Sequence, residues 1–152
     1  MKYSIRAAKI EDVFKSAHRL RQADVEELQA LGYDTAQDAL LVAIAHSELS
    51  FVDTVDGSPE AFGGVMSNGM VWCVTTTEYI EDHTRRFLSI TKELIEALQQ
   101  TYPVLWNYVY KKNTKHVRWL KFMNFELLEE VPYGPNKETF IKFTRSNTCV
   151  DQ

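Results

Sequence analysis

The side chains best suited to chemistry in this sequence are a group of carboxylates, two histidines, a pair of arginines and one phenol. Asp24, Glu26 and Glu27 fall within a helical stretch, where a carboxylate can take a proton from a nucleophile, directly or through water. A solvated helix face is the simpler account of each taken alone. His83 opens a second helix, as a donor to a ligand phosphate, a proton donor, or a surface residue of a first turn. His116 has the same alternatives, with apolar neighbours that favour packing. Arg85 and Arg86 form a cationic pair suited to an anion. Tyr133 sits inside Pro132-Tyr133-Gly134-Pro135, where it is either a turn-stabilising aromatic or a proton donor. No His, Cys, Asp and Glu spacing suits a metal, and no Gly-x-Ser-x-Gly elbow is present.

The elements that must position these groups follow from periodicity and turn chemistry. Residues 2–7 alternate as a strand, with Tyr3 and Ile5 on one face. Glu11 and Asp12 open a helix, Asp24 restarts the helical pattern, and Gly32 ends it. Asp34 or Thr35 caps the next helix, with Ala39, Leu40, Ala43 and Ile44 as its apolar stripe. A strand meander follows over 49–55, 60–66 and 70–74, with Asp56-Gly57 and Asn68-Gly69 as hairpin turns. A long amphipathic helix is expected from about residue 82 to about residue 100, with Phe87, Leu88, Thr91, Leu94, Ile95 and Leu98 on one face. A strand over 104–110, a helix over 113–123 and strands over 125–131 and 138–143 complete the chain.

The order β-α-α-β-β-β-α-β-α-β-β predicts an α/β (α+β) domain: about seven strands in a mixed, mostly antiparallel sheet flanked by helices. The strand–helix–strand succession implies a parallel crossover. Such a crossover splays the strands beside it and leaves a cleft. One domain over 1–145 with a polar tail over 146–152 is expected. The 152 residues carry a formal charge of −4, which argues against sequence-independent nucleic-acid binding and leaves room only for a local basic patch. No apolar run is long enough to cross a bilayer, and no signal segment precedes the first strand. Cys73 reads as a small core residue and Cys149 lies in the tail.

The element order resembles the GNAT (N-acetyltransferase-like) fold over nearly the whole chain. The family's second cofactor motif, N-x-x-A-x-x-L-Y-x-x-x-G-F, matches in spacing the run from Asn113 to Phe125. Asn113 serves as a natural helix cap, and Asn124 replaces Gly at a left-handed position. His116 stands for the usual Ala. Leu120 stands for the Tyr that often protonates the departing thiolate. The first motif, a Gly-rich turn that holds the cofactor pyrophosphate, corresponds to residues 77–86, which contain no Gly. Glu81 and Asp82 there repel a pyrophosphate, whereas Arg85 and Arg86 attract it. The expectation is weakened or lost acyl-CoA binding.

A more specific resemblance lies within this fold. Residues 20–27, 102–109, 113–121 and 132–135 resemble a family of small tailed-phage proteins that includes the internal virion protein A of short-tailed coliphages. This implies a phage protein tied to the virion or its assembly, in the virion or host cytoplasm, with other virion or host proteins as partners. The alternative is an active acetyl-CoA-dependent N-acyltransferase modifying a host or phage amine. In that reading the Val74, Thr75 and Thr76 backbone pairs with the pantetheine arm, and Arg85, Arg86 and Asn113 hold the cofactor. Glu27, an acidic position in the resembling phage proteins, acts as base through water, and Tyr133 acts as acid. A host-directed binding protein is the third reading.

Overall fold

The structure is a computed structural model and describes residues 1–147. Its seven strands fall into two antiparallel sheets. The first has the order β1-β2-β3-β4, from Tyr3–Ala7 (β1), Leu49–Val55 (β2), Ser58–Val65 (β3) and Val71–Thr75 (β4). The second has the order β5-β7-β6, from Val104–Tyr110 (β5), Glu126–Tyr133 (β6) and Glu138–Ser146 (β7). Strands β4 and β5 are the parallel neighbours that the crossover requires, but among the described residues their one backbone bridge is Met70–Trp106, beside which the Asn107 side-chain amide donates to the Val71 carbonyl at 2.7 Å. Beyond it they part. The expected mostly antiparallel arrangement of seven strands is found, with its continuity broken at this splay.

Local chemistry explains most of the boundaries. Asp56 and Gly57 both have positive φ, 50° and 85°, as a tight hairpin turn between right-twisted strands requires. Helices α1 (Ile10–Ser16) and α2 (Gln22–Ala30) are joined by a 3-10 turn at Ala17–Arg19. Thr35 caps α3 (Ala36–His46), its hydroxyl accepting from the Asp38 N–H at 3.1 Å. Gly32 and Asn124 end α2 and α6 (Thr114–Phe122) in the left-handed region. At Asn124 the N–H donates to the Lys121 carbonyl while the Phe125 N–H donates to the Leu120 carbonyl, which satisfies two terminal carbonyls of the helix.

The expected long helix is found as α5 (Thr84–Leu98), and an unexpected short helix, α4 (Thr77–Asp82), precedes it, the two meeting at His83. Helix α4 is the main departure from the sequence reading. Thr76 caps it by accepting from the Tyr79 N–H, and Tyr79 anchors it. The Tyr79 side chain is fully buried and donates to Asp53 Oδ2 at 2.6 Å, while Arg86 pairs with Asp53 Oδ1 at 2.7 Å. Strand β7 runs to Ser146, past the expected end of the last strand. Residues 148–152, with most of the expected tail and Cys149, lie outside the described residues.

Two apolar clusters hold the layers together. Val13, Leu20, Leu40, Val52, Phe62 and Val74 pack α1 and α3 onto the first sheet. Val65, Ile95, Leu105, Val109, Leu120 and Phe143 join α5 and α6 to the second. The hinge between the sheets depends on Gly69. Its φ is +90°, its carbonyl accepts from the Trp106 N–H, and an added Cβ would lie 2.2 Å from the Val104 carbonyl oxygen. Gly69→Ala therefore combines a disfavoured φ with a backbone clash and is expected to lower stability by about 2–4 kcal/mol in chemical denaturation.

Candidate functional site

The splay opens beside the residues singled out above. Helix α2 crosses it. Arg21, Asp24 and Glu27 recur at three-residue spacing and so share one face of the helix, directed at the diverging strand ends. Asp24, 4% exposed, accepts from Arg21 Nη2 at 2.8 Å, from Asn113 Nδ2 at 3.0 Å and from the Thr75 N–H at 3.2 Å. Glu27 Oε1 accepts from Asn113 Nδ2 at 3.0 Å and from the Tyr110 N–H at 3.3 Å. Helix α2 thus holds the end of β4 through one carboxylate and the end of β5 through the next. The Arg21 N–H also donates to the Thr75 carbonyl at 2.9 Å, so both backbone groups of Thr75 are engaged.

The solvated face expected for the acidic group holds for Glu26, which is exposed, but not for Asp24 or Glu27. Burial of Asp24 is tolerated because its oxygens meet three donors, one of them charged. Asn113 occupies the cap position of α6, yet its side chain makes no cap bond. It is 1% exposed and turns inward, donating to both carboxylates and accepting from Arg21 Nη2 at 2.9 Å. His116, one turn along α6, places Nδ1 3.8 Å from Glu27 Oε1, an ion-pair rather than hydrogen-bond distance. Burial works against its charged form, but the Glu27 and Asp24 carboxylates outweigh that, and its pKa is raised above the ordinary 6.5.

The remaining predicted residues scatter. Val74 packs into the core beneath α1 and α3. Thr76 gives its N–H to the Glu60 carbonyl and its hydroxyl to Glu60 Oε1, at 2.9 and 2.6 Å. Arg86 is committed to Asp53 and lies over the Tyr3 ring, whereas Arg85 is exposed. His83 shares a 2.8 Å hydrogen bond with the Tyr3 hydroxyl. Tyr133 stacks on Tyr108 with 4.4 Å between ring centroids. A cavity of about 710 Å³ passes through the splay, and Glu27, His116, Tyr108 and Tyr133 line it. A second groove, of about 290 Å³, lies between the start of α5 and α6, with Val74 and Thr75 among its lining residues. Among the described residues no cluster suited to a metal ion is found, and no helix is long and apolar enough to cross a membrane.

Solved structures share this architecture. The chain superposes on a spermidine N-acetyltransferase from Vibrio cholerae, solved with CoA and spermine, with a TM-score of 0.70, 10% identity and 96% of each chain covered. An acetyltransferase of the GNAT family from Streptococcus pneumoniae gives a TM-score of 0.64 at 13% identity, covering 95% of this chain and 99% of that one. The fold is therefore that of the GNAT acetyltransferases. At such identities the likeness extends to the fold alone.

Sequence comparison is narrower. The family model described as "Bacteriophage T7, probable scaffold protein Gp13" matches residues 50–131, more than half of the chain. The chain is also 31% identical over 103 residues to the probable scaffold protein gp13 of Escherichia phage T7, spanning 61% of this chain and 74% of that protein. The chain belongs to this phage family.

Two outcomes test the network. Asn113→Ala removes donors from two buried carboxylates and is expected to cost about 2–4 kcal/mol in urea unfolding. Because the folded-state pKa of His116 lies above its unfolded value, the stability it contributes is fully present below about pH 6.5. That contribution is lost as pH rises through the folded value. The stability difference between the native chain and His116→Gln should thus shrink as pH is raised above about 6.5, read as denaturation midpoints.

Proposed function

We propose that this chain is a phage assembly or virion-associated protein that uses the acetyltransferase fold as a platform for other proteins, with acyl-CoA chemistry weakened or absent. Family membership supports the assembly role, since its phage T7 relative is described as a probable scaffold protein. The observation that carries the loss of acyl-CoA chemistry is the engagement of Thr75. Its N–H is bonded to Asp24 and its carbonyl to the Arg21 N–H, so the strand edge that would pair with a pantetheine arm is already occupied. Two further features agree. The stretch corresponding to the Gly-rich pyrophosphate turn is wound into α4, where the Thr76 hydroxyl takes the Tyr79 N–H and Glu78 adds negative charge to the first turn. Arg86, a candidate for holding phosphate, is spent on Asp53.

The rival reading is the active N-acyltransferase. The cavity of about 710 Å³ lined by Glu27, His116 and Tyr133 favours it, since it brings the proposed base and acid to one space. Thermal unfolding with acetyl-CoA separates the two. A ligand at about 100 times its Kd stabilises a protein by about 2.7 kcal/mol, a readily visible rise in Tm. No rise is expected at millimolar acetyl-CoA, and mass spectrometry of purified particles and assembly intermediates should recover the chain. A clear rise, together with acetyl transfer that Glu27→Gln abolishes, would establish the enzyme instead.

A further inference from the structure

The groove between α5 and α6 is lined by two residues that each carry a buried polar atom without a partner. Among the described residues two buried side-chain atoms lack a hydrogen-bond partner, the Thr75 hydroxyl and the Trp119 indole nitrogen. Both residues line this groove. Thr75 is 3% exposed, and its hydroxyl is closed to water. A buried polar group without a partner is costly, and both atoms can donate to an acceptor oxygen.

The surroundings define that acceptor's chemistry. The walls are apolar, from Ile80, Leu88 and Phe122, and Phe122 is 65% exposed at the rim. The lip is cationic, from Lys115 and Arg118. These belong to a run in which Lys111, Lys112, Lys115, Arg118 and Lys121 follow one another without an intervening Asp or Glu, in a chain whose formal charge is −4. At about 290 Å³ the groove is small, at the low end for a small-molecule site and closer to the bulk of one or two side chains. A bare polyanion would gain nothing from its apolar walls.

From this complementarity we infer that the groove docks an extended segment of a protein partner in which an Asp or Glu adjoins a large apolar side chain. The carboxylate meets Lys115 and Arg118, and the apolar side chain lies against Phe122 and Leu88 beside the Trp119 ring. This rests on the protein-platform reading above and specifies where one partner binds and what the bound segment looks like.

The test uses the full-length chain against an array of overlapping peptides covering the proteins encoded by the same phage. Peptides pairing acidic with large apolar residues should be retained, and the tightest, taken into solution, should shift the Trp119 indole N–H signal in a nitrogen–proton correlation spectrum. The exposed double substitution Lys115→Glu with Arg118→Glu should weaken that peptide by roughly tenfold or more, with the unfolding midpoint little changed. Phe122→Ser should also weaken it. Binding that leaves the indole signal unmoved, or survives the charge reversal, overturns the inference while leaving the assembly reading to the particle measurement. Equal retention of polyglutamate or an oligonucleotide overturns it in favour of simple charge attraction. Displacement of the peptide by micromolar acetyl-CoA overturns both readings.

Discussion

A buried carboxylate at the point where two sheets separate organises this molecule. The crossover between β4 and β5 forces the strands together at one end and apart at the other, which leaves backbone groups at the open end without strand partners. Asp24 supplies an acceptor for one of them, the Thr75 N–H, and Glu27 for another, the Tyr110 N–H. Neither carboxylate would be stable there alone. Arg21 and Asn113 make the burial tolerable by converging on the same oxygens, and the polar face of α2 becomes the filling of the cleft.

Another buried acid, on β2, organises the chain that follows β4. Asp53 takes the Tyr79 phenol and the Arg86 guanidinium, which draws the chain after β4 into a short helix instead of an open turn. A Gly-rich turn can present its amides to an anion, whereas a helix capped by the Thr76 hydroxyl gives one of those amides to its own cap. The acetyltransferase fold is therefore kept here with Tyr79 and Arg86 engaged in internal bonds. Strand order and core packing are set by apolar residues, whereas ligand binding in any fold rests on a few polar ones.

What could be read from the chain was local. Asp56-Gly57, Thr35 and Asn124 act through their own backbone conformation or through residues a few positions away, and each lies where its chemistry places it. Helix α4 was missed because its anchor, Tyr79, finds its partner 26 residues back. An Asn before a helix ordinarily caps it, and Asn113 stands where such a cap belongs. Its actual bonds run to residues 86 and 89 positions away, and no pattern in the sequence marks them. The three-residue recurrence of Arg21, Asp24 and Glu27 was a legible sign of a shared polar face, but not of its burial.

By itself, then, the sequence determined the order of the strands, the apolar faces that pack the elements, the fold and the phage family, since these depend on periodicity, turn chemistry and residue identity along the chain. The tertiary structure decided which polar groups find a partner. Arg86, Thr76 and Asn113 are spent on internal partners, while the Thr75 hydroxyl and Trp119 indole are left over. The physical reason is that a hydrogen bond is settled by proximity in space, and folding brings distant residues close enough to compete for the same donors and acceptors.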